Sequence, residues 1–448
     1  MNALNTLTAL EDPAALVGRL RATVRSHATR PLAWRIEQLT RLRTLLDQNR
    51  DALAAAVYAD LRRLPAETFL SEVDACIHEI DHFVEHLEEW LAPQPVTVPA
   101  DARLPAGSTG AVRYDPLGTV LVIAPWNYPV RLLFVPVAGA LAAGDTVVAK
   151  PSELAPATSV LIADLVPRHF EPDVMAVVQG GVPETTALLA ERFDHIFFTG
   201  NGAVGRIVMR AAAQHLTPVT LELGGKSPVF VDAGADLPTV ARRLAATKFA
   251  NAGQTCVAPD YVLADPATAK ALESALTEAV LELYGPDPAT SPAYGRLINE
   301  RHFDRVAALL GSGRTVVGGR HERAERYIAP TVLAEVDPHS PVMLEEIFGP
   351  VLPIIEVTGL DEAIAFINER DKPLALYAFT GNDTTRRRLA VETTSGALNF
   401  GLPIAHLRVP GLPFGGVGES GTGSYHGRHS LETFSHRKAV LDVPLARS

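Results

Sequence analysis

His195-Ile-Phe-Phe-Thr-Gly-Asn-Gly-Ala-Val-Gly205 reads as a short strand, a glycine turn and the start of a helix. A strand that is apolar at consecutive positions is buried on both faces, which is the habit of parallel sheets covered by helices. Glycine permits the tight turn. The free N–H groups and dipole of the following helix favour a phosphate at its start. In this context Gly200-x-Gly202-x-x-Gly205 matches a dinucleotide-binding fingerprint; the alternative is a turn that only eases strand into helix.

Outward from this stretch the same rhythm repeats. Gly118-Thr-Val-Leu-Val-Ile-Ala124, Asp145-Thr-Val-Val-Ala-Lys150, Val174–Gln179 and Val219–Leu223 are further strand patterns, with helix patterns at 157–166, 183–191 and Gly202–Gln214. Strand and helix in alternation imply a parallel, doubly wound sheet. A second α/β unit follows, with strands at Val229–Val231, 258–264, near 314–318 and 351–356, Leu374–Thr380 and Gly396–Asn399. Its helices fall at 235–251, 266–284, 299–311, 360–370 and 383–392. Residues 12–90 read as helices, the last a long amphipathic one from Ser71 to Leu91 with Cys76 in its apolar stripe. Residues 93–118 carry prolines and alternate apolar with polar, as an extended arm does. Thr433–Val443 is a strand expected to pair with that arm or with another subunit.

Apolar residues at 47% and charged ones at 20% are globular values. A formal charge of −11 argues against nucleic acid and anionic membranes as partners. Two cysteines, Cys76 and Cys256, provide neither a disulfide framework nor a zinc-ligand spacing, so no metal is expected. The N-terminus lacks a basic segment followed by an apolar core. The longest apolar run, Leu132 to Gly144, carries Pro136 and is too short to span a bilayer. A soluble, cytoplasmic protein is the expectation.

Two residues stand out chemically. Cys256 lies in Asn251-Ala-Gly-Gln-Thr-Cys-Val257, among small and polar neighbours that leave a thiol accessible. It reads either as a nucleophile, reactive as its thiolate, or as a structural cysteine. Glu222 lies 22 positions after Gly200 and ends a strand in Thr220-Leu-Glu-Leu-Gly-Gly-Lys-Ser-Pro228. The fingerprint makes it a ribose ligand, whereas a cleft beside a thiol makes it a general base for water. Spacing leaves both open.

Seven motifs stand in the order seen in the aldehyde dehydrogenase superfamily, and the chain resembles that family from about residue 110 to 440. They are Pro125-Trp-Asn-Tyr-Pro129, Lys150-Pro-Ser-Glu153, Phe198-Thr-Gly200, Glu222-Leu-Gly-Gly-Lys-Ser-Pro228, Gly253-Gln-Thr-Cys256, Glu346-Ile-Phe-Gly-Pro350 and Pro413-Phe-Gly-Gly-Val-Gly418. Gly423-Ser-Tyr-His-Gly427 and Glu432-Thr-Phe-Ser-His436 bring it closest to the class 3 and coniferyl-aldehyde-dehydrogenase-like branch.

The resemblance implies that Cys256 attacks an aldehyde, that hydride leaves for a nicotinamide, and that the thioester is hydrolysed. It implies an oxyanion hole from the Asn127 amide and the Cys256 N–H, and makes Glu222 the general base. Lys150 and Glu153 would hold the adenosine ribose, Glu346 the nicotinamide ribose, and Phe348, Pro125 and Trp126 would pack at the cofactor. Gly200 and Gly205 would mark the turn near the diphosphate. Glu153 favours NAD, with NADP possible. Tyr128, Arg131, Phe400 and His406 are substrate-tunnel candidates. Arg131 follows Asn127 by four, so on a helix they share a face. There Arg131 either holds a polar substrate tail or pairs with an acid such as Glu72.

The implied architecture is two open doubly wound α/β domains and a small β arm. Residues 1–90 and 115–223 bind NAD(P), 224–400 are catalytic, and 91–114 with 401–448 bridge subunits of a homodimer. The expected reaction is oxidation of an aromatic or medium-chain aldehyde to the acid. The rival readings are transfer of the acyl group to coenzyme A, and a non-catalytic relative. A cysteine hydrolase lacks an imidazole partner beside Cys256 in the sequence.

Overall fold

The computed structural model describes residues 12–445; the first eleven residues, where the N-terminal expectation falls, lie outside them. Three sheets and a two-stranded ribbon, His321–Glu322 with Tyr327–Ile328, organise the described residues. The strands in chain order are β1 (Gln94–Val96), β2 (Thr109–Pro116), β3 (Thr119–Ile123), β4 (Thr146–Lys150), β5 (Met175–Val177), β6 (His195–Thr199), β7 (Val219–Glu222), β8 (Pro228–Val231) and β9 (Tyr261–Ala264). There follow β10 (Arg314–Val317), β11 (His321–Glu322), β12 (Tyr327–Ile328), β13 (Thr331–Ala334), β14 (Val351–Glu356), β15 (Ala375–Phe379), β16 (Ala397–Phe400), β17 (Gly421–Thr422) and β18 (Ser435–Asp442).

The first sheet runs β17-β7-β6-β3-β4-β5 and is parallel except for β17. Every residue of β3, β4 and β6 is buried, as their unbroken apolar runs require. One face packs Leu121, Ile123, Val148, Ile196 and Phe198 against Leu16, Val17 and Leu20 of helix Pro13–Arg25. The other face carries Val120, Val122, Val147 and Ala149 and is covered by helices Leu32–Gln48, Asp74–Leu91 and Arg131–Ala143. The chain leaves β3 for β4 on one side and returns to β6 on the other. The crevice beyond the carboxyl ends of β3 and β6 is therefore the switch point where open α/β sheets bind ligands.

The second sheet runs β10-β13-β14-β9-β8-β15-β16 and is parallel except for β10. Strand β13 is absent from the sequence reading although it sits inside the sheet. At four residues, directly after Pro330, it is too short for alternation to mark it. The third sheet, β1-β2-β18, is antiparallel. Strand β18 pairs with β2 in register from Ser435↔Pro116 to Asp442↔Thr109, so the C-terminal strand closes on the arm of its own chain.

Two helix boundaries differ from expectation. The helix expected from Ser71 opens with a π-turn, Phe69–Val73, before the α-helix Asp74–Leu91. The helix after β3 begins at Arg131, so Asn127 precedes it and the two share no helical face. Pro129 disfavours helical backbone at Tyr128, and that was the signal in the sequence.

Candidate active site

Asn127 sits in a turn held from below by a buried ion pair. Arg63 pairs with Glu72, and neither side chain is exposed. Glu72 Oε2 accepts from the N–H of Val130 at 2.7 Å and of Arg131 at 3.2 Å, capping the helix that starts there. Burial pushes the Glu72 carboxyl up, opposed by Arg63 and those N–H groups. Arg63 Nη2 donates to the Asn127 carbonyl, and its guanidinium lies 4.3 Å from the Tyr128 ring centre. Asn251 Nδ2 donates to the same carbonyl at 3.0 Å.

The Cys256 segment reaches that turn through a backbone nest. Asn251, Ala252 and Gly253 have φ of 49°, 53° and 75° in succession. Two of them are not glycine, so the conformation is strained and held by its surroundings. A Cβ on Gly253 would lie 2.2 Å from the Gly349 oxygen, so only glycine fits there. Gln254 locks the nest: its Nε2 donates to Asn251 O at 2.9 Å and Arg296 O at 3.0 Å, and its Oε1 accepts from Ile298 N at 2.9 Å. Asn127 Nδ2 donates to Gln254 O at 3.0 Å, Tyr128 Oη lies 2.9 Å from Thr255 Oγ1, and Tyr377 Oη donates to Val257 O at 2.6 Å. Asn127 is thus hydrogen-bonded directly to the segment that carries Cys256.

Two acids face the half-buried thiol. Burial first, then the charges of Glu346 and Glu222, push the Cys256 thiol up to about 12. Glu222 ends β7, is buried, and neither carboxylate oxygen has a hydrogen-bond partner among the described residues. Burial alone pushes its carboxyl well up. Burial and neighbouring Asp260 raise Glu346 to about 8, against the Gly225 N–H, Lys226 and Arg305. A Cβ on Gly224 would sit 1.8 Å from Glu346 Oε2, so the glycine pair gives that carboxylate its place. Lys226 Nζ reaches Asp260, Val342 O at 2.8 Å and Glu345 O at 3.0 Å, and Asp260 Oδ1 accepts from Ile347 N at 2.9 Å. This buried knot fixes the Glu346 loop. Phe348, at φ 44°, packs on Trp126 with ring centres 5.4 Å apart, and Trp126 lies 5.0 Å from His302.

At the switch point the residues fit a dinucleotide. Lys150 ends β4 and its Nζ donates to Pro151 O at 3.0 Å and Glu153 Oε2 at 3.1 Å. Pro125 follows β3, and Ala124 N donates to Lys150 O at 3.1 Å. Gly200 N donates to Glu222 O at 2.9 Å, and a Cβ on Gly200 would meet the Phe198 ring at 2.4 Å. Asn201 caps helix Gly202–Ala213 by accepting from Val204 N at 3.0 Å, which leaves the first N–H groups to an anion. A Cβ on Gly205 would press on Leu223 at 3.0 Å, so this glycine serves helix packing.

On the opposite side lie the tunnel candidates. Arg131 Nη2 is 3.5 Å from Leu407 O. His406 Nδ1 lies 2.8 Å from Asn399 Nδ2, and its Nε2 is buried without a partner. Phe400 ends β16 with the Arg386 guanidinium 5.4 Å from its ring centre. Tyr425, which the sequence offers only as part of a branch motif, is buried where its hydroxyl is pushed well up by burial and by Glu222. Arg63, Glu72, Asn251 and the Lys226–Asp260 pair were likewise not singled out as site residues. Their partners include residues 34 to 124 positions away, beyond any local pattern.

Known proteins resemble this chain in sequence and fold. The family model "Aldehyde dehydrogenase family" matches residues 9–440. A mouse protein, "Aldehyde dehydrogenase, dimeric NADP-preferring", is 49% identical over 96% of this chain and 95% of its own length. Aldehyde dehydrogenase family 3 member A2 of Macaca fascicularis is 47% identical over 96% and 88%. The substrate-bound structure of Staphylococcus aureus AldH superposes with a TM-score of 0.94 at 39% identity, covering 97% of this chain and 94% of that one. An indole-3-acetaldehyde dehydrogenase solved with NAD+ gives 0.86 at 27% identity, over 97% and 89%. With the family model spanning nearly all of the described residues, the chain belongs to the aldehyde dehydrogenase family.

Proposed function

We propose that this chain oxidises an aromatic or medium-chain aldehyde to the free carboxylic acid, with NAD or NADP and one water consumed per turnover. The carrying observation is the meeting of Asn127 Nδ2 with the Gln254 carbonyl, two residues before the half-buried Cys256. The Cys256 thiol gives up its proton to solvent as the sulfur bonds to the aldehyde carbon, and the developing oxyanion is received by the second Nδ2 hydrogen of Asn127 and the Cys256 N–H. Donors of this kind lower a barrier by about 3 kcal/mol each. When bound, the nicotinamide supplies the hydride acceptor. Lys150 and Glu153 would hold its adenosine ribose, Glu346 the other ribose, and Trp126 with Phe348 the ring.

Glu222 then takes a proton from the water that attacks the thioester, and the thiol is released with the acid. Its unpartnered carboxyl supports this role over ribose binding, and supports hydrolysis over transfer to coenzyme A. The relative named as dimeric supports a homodimer. Two free cysteines and no disulfide support a reducing, cytoplasmic setting. The test is a panel of aldehydes assayed for reduced cofactor, with product analysis in the presence and absence of coenzyme A. Stoichiometric free acid in both is expected; an acyl-coenzyme A product would overturn hydrolysis.

A further inference from the structure

We propose that the aldehyde oxidised here carries a carboxylate at its far end, and that the Arg131 guanidinium receives it. The inference rests on the function proposed above and narrows its substrate.

Arg131 is the first residue of helix Arg131–Ala143, and its backbone N–H is fixed on Glu72. Its charge is felt by Cys256 and Tyr425 on one side and by His406 and His426 on the other. With its Nη2 3.5 Å from Leu407 O, the guanidinium lies against the loop that follows β16, within electrostatic reach of the reacting sulfur. Its one hydrogen bond among the described residues is the 3.5 Å contact to Leu407 O, at the long limit for such a bond. No carboxylate among the described residues lies within ion-pair distance of it.

The two acids that face it are engaged elsewhere. Glu72 is paired with Arg63 and accepts from Val130 N. Glu79 Oε1 accepts from Gly427 N at 2.6 Å, and burial pushes its carboxyl up, opposed by that N–H and by the Arg131 charge, without an ion pair forming between them. The neighbouring imidazole adds a donor. His406 Nδ1 accepts from Asn399 Nδ2, so Nε2 carries the proton, and it is buried with no partner.

A half-buried guanidinium holds five donors in a planar fork that matches a carboxylate in two parallel hydrogen bonds. Arg131 and His406 together leave such a fork and an extra N–H unmet. A charged tail meets both, while a hydrocarbon tail strands them. The net charge of −11 repels an anion at long range, so the preference arises from close contact and withstands added salt.

The test compares ω-oxo carboxylic acids of graded length with their methyl esters, by kcat/KM at saturating NAD or NADP. The enzymes are wild type, Arg131→Leu and Arg131→Lys. At the best length the wild-type ratio of acid to ester is expected to be about tenfold or more. Arg131→Leu should bring that ratio near one, and Arg131→Lys should hold it between. Because each enzyme is its own control, a general loss of activity leaves the ratio readable. Should Arg131→Leu fail to fold, the wild-type and Arg131→Lys ratios decide. A wild-type ratio near one at every length, or a ratio that Arg131→Leu leaves standing, overturns the proposal. Turnover of esters alone overturns this inference and spares the proposed function. Absence of turnover with every aldehyde overturns both.

Discussion

Arg63 donates a hydrogen bond to the main-chain carbonyl of Asn127, 64 positions later, while its other terminal nitrogen pairs with Glu72. One buried guanidinium thus couples the N-terminal helices to the turn that aims the Asn127 amide. Removing it strands Glu72 and leaves the carbonyl to Asn251 alone. Arg63→Met is expected to lose about 3–5 kcal/mol in denaturant unfolding. Pairing it with Glu72→Gln should recover part of that stability, but kcat should stay about tenfold down or more because Asn127 has lost one of the two donors that fix its carbonyl.

Glu222→Gln keeps the shape of the buried carboxyl and removes its ability to take a proton. Attack and hydride transfer precede its step, so rapid mixing should show a burst of about one reduced cofactor per active site. Steady turnover should fall about a hundredfold or more. Burial pushes the Glu222 carboxyl well up, so hydrolysis-limited kcat should rise with pH as that carboxyl ionises. A kcat without such a rise, together with no burst in the variant, would count against the assignment.

Cys256 is held up to about 12, so little thiolate exists near neutrality. A cofactor held by Glu346, Trp126 and Phe348 would supply a positive nicotinamide charge that offsets the opposition of Glu346 and Glu222 to ionisation. Alkylation of the free enzyme by iodoacetamide should be slow and should quicken about tenfold or more with NAD+. Cys76 is buried, and its thiol is raised still further, so peptide mapping should find label on Cys256 only.

Glu153 accepts from Lys150 Nζ and leaves nearly half of its side chain exposed, at 46%. A carboxylate there suits a ribose hydroxyl and repels a 2′-phosphate. Glu153→Gln should therefore move the kcat/KM ratio toward NADP by about tenfold. A wild-type enzyme already far better with NADP would show that Lys150 outweighs the carboxylate.

His195 is buried in β6, its Nε2 lies 3.0 Å from Thr220 Oγ1, and burial lowers it to about 4. The unfolded chain protonates this ring near pH 6.5 and the folded chain only near 4. Stability from His195 is thus present above the higher value and lost as pH falls through the window. Its share should approach about 3 kcal/mol by the lower end. His195→Gln should flatten that acid limb in unfolding curves measured between the two.

The fold was legible because its central strands are buried on both faces. Val120–Ile123 and Ile196–Phe198 announce themselves by continuous apolarity, and the turn after β6 by its glycines. Cys256, Glu222 and Asn127 were legible as motif members. Their environment was not. The left-handed backbone at Asn251 and Ala252 has no signature at an alanine, and Arg63 and Glu72 lie among helices whose periodicity speaks only of packing. Spacing misled at Arg131, where four positions imply a shared helical face only if a helix is present at Asn127.

Glu222 sits on β7, whose outer edge is closed by β17. Gly421 stands opposite Glu222, and Leu223 N donates to Ser420 O at 3.1 Å. A Cβ on Gly421 would lie 2.4 Å from Leu221 O, so the two backbones touch. The consequence concerns the order of events during synthesis. A nascent chain that has emerged as far as β16 already holds the thiol, the amide and the carboxyl, yet lacks the strand that borders the carboxyl's own. Long-range pairings of this kind form late. On the proposed mechanism, the strand that borders the general base therefore pairs only when nearly the whole polypeptide has been made, so a fragment stalled before β17 would carry the nucleophile without the means of discharging it.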